Sequence, residues 1–543
     1  MKEKWTKLGK SLICLALVTS MLAGCGGGGN SSSSSEKQTS GGTSGEVAAG
    51  DDNFNETGLP IVKEPVELTF LYVKGANTMD FKDNAMFQQM EKDTNVKINW
   101  QYAGDADWGE QKSLLLASGD LPDVFFGDNA LKDNDIATNL DMFIPLEDYF
   151  EKYCPNISAI LDLPGVREKM TAPDGHIYTI PYVCADTTVG YSPYINTKWL
   201  ENVGMSMPTT TDEFEAVLKA FKEQDANGNG DASDEIPFST DPNNKHIEAM
   251  AGYFGLPMNK LGIAIQNEKV VYGGVSDTYR EFLSWFHKLY AEGLVDVELY
   301  TQDSSTWEGK GNQDLYGVSI AYGSNEFTGI PAAEERGDFD SMPVLNTDKD
   351  GIWLRDTEGF SVYRTQAVIT NKAEHPEIIC RWFDNAFALE NGIGCNRGPV
   401  GVIVNKEDDG YHAIDTTTLS EEDQEKYSWG NLWPQSLPKY LPADFEFVEE
   451  HPMYDEKKAT EEAYEANLTK EIIPSYWIDL DKIDTFSDTN TAIKDFFEQQ
   501  QAQFVCGELD IDNDADWQAY VDGMYSLGLE DWVATQGIEE IAK

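Results

Sequence analysis

Leu68-Thr69-Phe70-Leu71-Tyr72-Val73 is a short apolar run of strand formers, and the segments after it decide how it is used. Residues 85 to 94 place Met86, Phe87 and Met90 on one side of a helix. Val96-Lys97-Ile98-Asn99-Trp100 then alternates apolar with polar, the period of a half-buried strand. Residues 109 to 117 return to helical spacing, and Leu121-Pro122-Asp123-Val124-Phe125-Phe126 reads as a third strand. Strand, helix, strand, helix, strand in this order predicts an α/β fold with a parallel sheet and right-handed crossovers. In such sheets ligands sit beyond the carboxyl ends of the strands. The loops after Val73 and Phe126 are therefore expected to wall a ligand site, and they hold Lys74, Asn77, Asp128 and Asn129.

Helical and strand patterns alternate from there to the C-terminus. Residues 211 to 221 present Phe214, Val217, Leu218 and Phe221 on one helix face. Residues 278 to 291 do the same with Phe282, Trp285, Phe286 and Leu289, and residues 376 to 389 follow suit. No internal repeat appears at a solenoid period. With 543 residues the chain is long enough for two or more domains.

Before Leu68 the chain changes character. Lys2, Lys4, Lys7 and Lys10 make a positive region, Leu12-Ile13-Cys14-Leu15-Ala16-Leu17-Val18 starts an apolar core, and Leu22-Ala23-Gly24-Cys25 follows. This is the pattern of a secretory signal, too short to remain as a membrane span. Leu-Ala-Gly-Cys resembles a bacterial lipobox, which implies that residues 1 to 24 are a signal peptide and that Cys25 carries lipid. Gly26 to about Gly58 is rich in glycine and serine and cannot bury enough apolar surface to fold. Residues 25 to 62 are expected to form a flexible tether on the extracellular face of the membrane.

Composition narrows the partners. A formal net charge of -55 repels nucleic acid and anionic lipid, so the lipid anchor is the only membrane contact expected. Cys154, Cys184, Cys380, Cys395 and Cys506 remain in the exported chain. Five is odd, and no C-x-x-C occurs, so neither a zinc site nor a dense disulfide framework is expected. A single bridge, such as Cys380 to Cys395, stays open. Catalytic signals are poor. The six histidines form no H-E-x-x-H, and neither G-x-S-x-G nor a P-loop is present. No enzyme activity is expected. A surface glycoside hydrolase stays open as an alternative, because a carboxylate pair cannot be picked from 95 acidic residues by sequence.

The residues together resemble a known family. Leu115-Leu116-Ala117-Ser118-Gly119-Asp120-Leu121-Pro122-Asp123-Val124 is similar to the first-lobe signature of the family 1 extracellular solute-binding proteins of ABC importers. Asp174-Gly175-His176-Ile177-Tyr178-Thr179-Ile180-Pro181 resembles that family's approach to the hinge, and Ile195-Asn196-Thr197-Lys198-Trp199-Leu200 its way into the second lobe. Ile369-Thr370-Asn371-Lys372 with Trp382-Phe383-Asp384 resembles the return crossing, and Phe504-Val505-Cys506-Gly507 with Asp516-Trp517 the C-terminal end. The closest resemblance is to the large lipoprotein branch. It implies a two-lobed, periplasmic-binding-protein-like fold of type II, with ligand in a cleft between lobes joined by chain crossings. Lobe 1 would hold 63–182 and 360–400, and lobe 2 would hold 183–359 and 401–543. It further implies a monomer that delivers a carbohydrate, an oligosaccharide above all, to ABC permease subunits. A peptide receptor of the same fold is the other binding alternative. The identity of the sugar is not legible.

Two groups of residues carry the chemistry. In Asp225-Ala226-Asn227-Gly228-Asn229-Gly230-Asp231-Ala232-Ser233-Asp234-Glu235, oxygen side chains alternate and a glycine follows the third, as in a calcium loop. Position twelve is Ile236, so the closing acid would be Glu235 with Asp234. Asp225, Asn227, Asn229, Asp231, Asp234 and Glu235 are the candidate ligands of a structural calcium, which the resemblance also implies. The other group is aromatic. Sugars offer apolar C–H faces with a hydroxyl rim, and suit flat rings bordered by carboxylates and amides. Tyr182, Tyr191, Tyr322, Trp353, Trp429, Trp433 and Trp477 are candidates, although most aromatics in any protein are core. By their order in the family, Tyr322 and Trp477 would stack on sugar, with Asp128, Asn129 and Asp186 as polar contacts.

Overall fold

In the computed structural model, β1 (Val66–Lys74) lies between β2 (Val96–Gly104) and β3 (Val124–Phe126) and runs parallel to both. The intervening helices span Ala85–Thr94 and Trp108–Ser118. Asn84 starts the first. Its side-chain oxygen accepts from the amides of Met86 and Phe87 at 2.9 and 3.2 Å, satisfying donors that a helix N-terminus leaves open. Asn95 ends it in the left-handed region at φ 58°. Met86, Phe87 and Met90 are buried, as their spacing predicts, and Phe87 packs 4.8 Å from Trp100.

The structure describes residues 52 to 542 except 75–78, 186–187, 243–245, 330–336, 358–359, 415, 428–436, 443–444, 446–447, 449–451, 476 and 539. The expected signal peptide, Cys25 and most of the tether lie outside the described residues, as do Asn77, Asp186, Trp429 and Trp433. Among the described residues no helix is long and apolar enough to cross a membrane.

Further strands follow in chain order: β4 (Thr179–Ala185), β5 (Ser192–Asn196), β6 (Ile236–Thr240), β7 (Ile263–Gln266), β8 (Lys269–Tyr272), β9 (Tyr316–Ala321), β10 (Phe339–Ser341), β11 (Trp353–Arg355), β12 (Phe360–Ile369), β13 (Val404–Glu407), β14 (Gly410–Ala413), β15 (Lys439–Leu441) and β16 (Leu468–Ile472). The order β15-β4-β12-β3-β1-β2 makes the sheet of the first lobe, and β10-β5-β9-β6 makes that of the second. Each lobe has its own core. Phe70, Phe81, Phe87, Trp100, Phe126, Trp382 and Phe383 interlock in the first. The second is built on the helices Thr211–Glu223 and Asp277–Ala291, whose apolar faces are buried as expected, and on the long C-terminal helix Ile483–Cys506.

Two boundaries differ from the sequence expectation. Residues 52 to 62, assigned to the tether, are folded: Ile61 and Val62 are fully buried, and the Ile61 amide donates to the Thr94 carbonyl at 3.0 Å. An apolar pair beside a glycine-rich stretch is too short to show a period. Residues 439 to 441, assigned to lobe 2, are β15, which pairs in parallel with β4 in the first lobe's sheet. The chain returns to the second lobe only with the helix Pro452–Tyr464, which packs on β10. A three-residue strand carries no alternation that a sequence pattern could detect.

The five cysteines in the described part are free thiols. Cys154, Cys380 and Cys395 are buried, and Cys380 is not bridged to Cys395.

Candidate ligand-binding cleft

The second lobe's sheet ends in a row. β6 and β9 are parallel, with Thr240 opposite Ile320, and β5 runs antiparallel, with Ser192 opposite Ala321. The next residues outward are Asp241, Tyr322 and Tyr191, beyond the carboxyl ends of the two parallel strands, where ligands bind in such sheets. The Tyr191 ring stacks on His246 at 4.1 Å and 12°, and meets Tyr322 edge-on at 6.1 Å and 70°. His246 sits at φ 48°, a left-handed backbone that few side chains adopt. Burial pushes its pKa down to about 4, with Lys260 adding to the effect, so the imidazole is neutral at pH 7. Glu326 accepts from the Tyr322 amide at 2.9 Å, and burial raises its pKa. Glu456 accepts from both the amide and the hydroxyl of Ser324, at 2.8 and 2.6 Å. The loop carrying Tyr322 is thereby tied down at both ends.

Two crossings join the lobes beside this group. β4 ends at Ala185 and β5 begins at Ser192, so the crossing between them spans at most about 25 Å. A second crossing, from β11 to β12, runs beside it. The Asp356 amide donates to the Thr188 carbonyl at 3.0 Å, and the Asp356 carboxylate accepts from the Gly190 amide at 2.5 Å. Lys457 and Glu461, one turn apart on the helix Pro452–Tyr464, grip the same strap. Glu461 accepts from the Thr188 amide, and Lys457 donates to the Gly190 carbonyl.

On the first lobe, Lys439, Tyr182 and Tyr363 are cross-strand partners on β15, β4 and β12. The tyrosine rings stack at 5.4 Å and 16°, and the Lys439 ammonium lies 4.9 Å from the Tyr182 ring centre. Tyr363 is 46% exposed. Asp128 and Asn129 form the turn after β3. Gly127 opens that turn at φ 93°, donating to the Gln366 carbonyl at 2.7 Å, where a Cβ would come within 2.9 Å of the Tyr72 ring. A cavity of about 580 Å3 lies between the lobes, lined by Lys132, Tyr363 and Arg364 from the first and by Ile473, Phe486 and Lys494 from the second. That is within the ~300–1,000 Å3 of small-molecule sites.

The structure brings Tyr191 and Tyr322 together on the second lobe, and on the first lobe it places Tyr182 beside Tyr363 and Lys439, with Asp128 and Asn129 in the turn after β3. Trp353 is core: it is 2% exposed, between Tyr253 and Tyr464. Trp477 packs beside the inter-lobe cavity, under Arg364, which lines that cavity. It reaches from the segment after β16 onto the first lobe's core, its Nε1–H donates to the Lys169 carbonyl at 3.1 Å, and the Arg364 guanidinium covers it at 4.8 Å. Arg364 is held in turn by Asp133. Sequence reasoning missed His246, Tyr363, Lys439 and Lys457. Tyr363 lies in a strand-like stretch and was within reach of a period-two count. The Lys457-Lys458 pair reads as a solvated surface, and nothing local marks it.

The loop 225–235 is a tight turn held by its own side chains. Gly228 and Gly230 take φ 74° and 95°, and the Asn229, Asp231 and Ser233 amides donate to the side chains two residues before them. The Ala226 amide donates to Glu235 at 2.9 Å, closing the two ends. Asp225 Oδ1 and Glu235 Oε2 are buried with no hydrogen-bond partner, and burial raises the Glu235 pKa. Two orphaned carboxylate oxygens at the loop's ends suit a hard cation.

Two α/β lobes, tied by side-by-side crossings and bordered by aromatic strand-end edges, define a two-lobed ligand-binding protein. The model of the bacterial extracellular solute-binding proteins matches residues 75–392, more than half of the chain, and the chain belongs to that family. The fructooligosaccharide ABC transporter substrate-binding protein FusA of Streptococcus pneumoniae serotype 4 is 30% identical over 412 residues, 73% of this chain and 72% of that protein. A solved structure of S. pneumoniae FusA in complex with kestose has a TM-score of 0.76 at 26% identity, covering 87% of this chain and 98% of that one. Another, of a FusA EF-hand mutant in complex with fructo-nystose, has a TM-score of 0.75 at 26% identity and the same coverage.

Proposed function

We infer that this chain is a lipid-anchored receptor that captures an oligosaccharide outside the cell and delivers it to an ABC permease. The observation that carries this is the aromatic edge of the second lobe. Tyr191, stacked on His246, and Tyr322 stand beyond the carboxyl ends of β6 and β9, with Tyr182 and Tyr363 at the other end of the same crossing. Flat rings beside carboxylates match a sugar's C–H face and hydroxyl rim. Tyr182, Tyr322, Trp477, Asp128, Asn129 and Asp186 are the ligand contacts proposed from sequence, and Tyr191, His246 and Tyr363 join them. FusA binds kestose, which makes short fructans the first ligands to try. The protein acts as a monomer and does not turn its ligand over.

Calcium in the 225–235 loop would neutralise its crowded carboxylates and staple the two ends together. Asp225, Asn227, Asn229, Asp231, Asp234 and Glu235 would hold it. FusA carries an EF-hand, which supports the same role here. Lipid on Cys25 would anchor the whole, and Cys25→Ser is expected to release the protein into the medium. A variant that stays membrane-bound, with no acyl chain on the wild type, would refute the anchor.

The decisive experiment uses the chain from Gly26 onward. Titration calorimetry with kestose, a mixed glycan panel and a peptide pool should give heat with a carbohydrate and none with peptides. Chromatography of the incubated sugar should show it intact. Cleavage would make the protein a hydrolase, and heat from peptides alone would make it a peptide receptor. Small-angle scattering should show compaction at saturation, since closure of the lobes is a hinge motion.

A further inference from the structure

Lys457 is a cation in an unusual place. It is 6% exposed, on the helix Pro452–Tyr464, far in sequence from both features it touches. Its ammonium donates to the Gly190 carbonyl in the first crossing and, at 2.7 Å, to the Tyr322 carbonyl in the loop beyond β9. It also lies 4.0 Å from the centre of the Tyr322 ring, within cation–π range. One buried charge thus holds the backbone of the hinge strap and both the backbone and the ring of Tyr322. Four carboxylates surround it: Asp356 on the second crossing, Glu326 on the Tyr322 loop, and Glu456 and Glu461 on its own helix.

The strap at that point has little freedom. A Cβ on Gly190 would fall 2.3 Å from Asp356 Oδ2, so a side chain there would push aside the carboxylate that accepts from the Gly190 amide. The Gly190 amide is bonded to Asp356, the Thr188 amide to Glu461 and the Thr188 carbonyl to the Asp356 amide. Burial pushes the pKa of Lys457 down to about 8, opposed by the four carboxylates, so the ammonium keeps its charge at pH 7. A desolvated cation loses much when a partner moves away, because no water replaces the lost bond.

We propose that Lys457 is a positioning residue that locks the first crossing to the ligand wall, so that a movement of the strap at Gly190 moves the Tyr322 ring. The lock rests on the assignment of Tyr322 to the binding site for its effect on affinity, but not for its mechanical part. The hinge then reports to the wall through a side chain that itself touches no ligand. Ligand stacked on Tyr322 would bias the strap toward one position, and the strap's position would set the angle of the ring.

The test separates the mechanical claim from the ligand claim. Site-resolved hydrogen exchange on the ligand-free chain from Gly26 reads the amides of Thr188, Gly190 and Tyr322, with Val318 inside β9 as the internal control. Lys457→Met should raise exchange at all three by tenfold or more and leave Val318 unchanged, and Lys457→Arg should restore much of the protection. Gly190→Ala perturbs the strap and the Asp356 carboxylate beside it without touching Tyr322, yet it should raise exchange at Tyr322 as well. It also serves if Lys457→Met does not fold. Kestose affinity should fall at least tenfold in Lys457→Met and recover in large part in Lys457→Arg. Gly190→Ala that leaves Tyr322 exchange unchanged would overturn the lock, as would Lys457→Met with wild-type protection at all three amides. A wild type that ignores kestose would count against that sugar as ligand, and the exchange data would still decide the lock.

Discussion

The Tyr191 ring lies parallel to the His246 imidazole, 4.1 Å away and 12° off plane. The pair joins the segment before β5 to the loop after β6, two places that no local pattern links. Burial keeps this imidazole neutral, so the two rings meet as flat, uncharged faces. The pair makes a rigid flat face at the strand-end edge, and rigidity matters because a preordered wall loses little entropy when ligand arrives.

His246 gives the protein a pH dependence of known sign. The unfolded chain binds a proton at about 6.5 and the folded chain only at about 4. Between these values the unfolded state holds more protons, so this group's contribution is lost as pH falls through the window. Asp384 opposes it. Burial raises its pKa to about 6, so its contribution is lost as pH rises through that value. The informative quantity is the difference between the wild type and His246→Asn, a residue that tolerates the left-handed backbone. Urea unfolding from pH 4 to 7 should show the wild type's advantage shrinking toward low pH. Parallel curves would contradict a buried neutral histidine.

Removal of the ring at Tyr322 should weaken sugar binding by about 1.5–3 kcal/mol, the range for fully burying a large apolar side chain. Tyr191→Ala should fall in the same range and also loosen His246. Calorimetry with the best sugar from the panel measures both. Wild-type affinity in both single variants would remove the aromatic edge from the site.

Chelation should lower the melting temperature if the 225–235 loop holds calcium. A metal bound only by the folded state at a hundred times its dissociation constant adds about 2.7 kcal/mol of stability. Asp225→Ala with Asn229→Ala should reproduce the chelated wild type and show no further response to calcium. Sugar affinity should change less than stability. A chelated wild type that melts unchanged would speak against a structural ion.

Trp477→Ala should act on stability first. The indole is half-buried against the first lobe, covered by Arg364 and bonded to the Lys169 carbonyl. A loss of about 2–3 kcal/mol is expected, below the roughly 3–5 kcal/mol of a fully buried aromatic. Trp477→Phe should recover part of it, lacking the Nε1–H bond and the indole's second ring. A variant of full stability with lost sugar affinity would instead make Trp477 a ligand-stacking residue.

The amino-acid sequence alone determined the first lobe's αβ alternation, because helix and strand periods are local. Met86, Phe87 and Met90 sit three and four residues apart, and Val96 to Trp100 alternate, whatever they later pack against. The calcium-type loop is legible for the same reason, since all its oxygens lie within eleven residues in sequence. Tertiary structure alone decided which aromatics stand at a strand end and which are core. Trp353 and Tyr322 look alike in sequence, yet one closes a core between Tyr253 and Tyr464 while the other ends a strand at the edge. It also decided the role of Lys457, whose partners at Gly190 and Tyr322 are brought to it by a crossing and a strand register. Burial, not spacing, made the difference. A lysine is a solvated surface charge until the chain folds over it, and only then do its bonds to two backbone carbonyls become worth keeping.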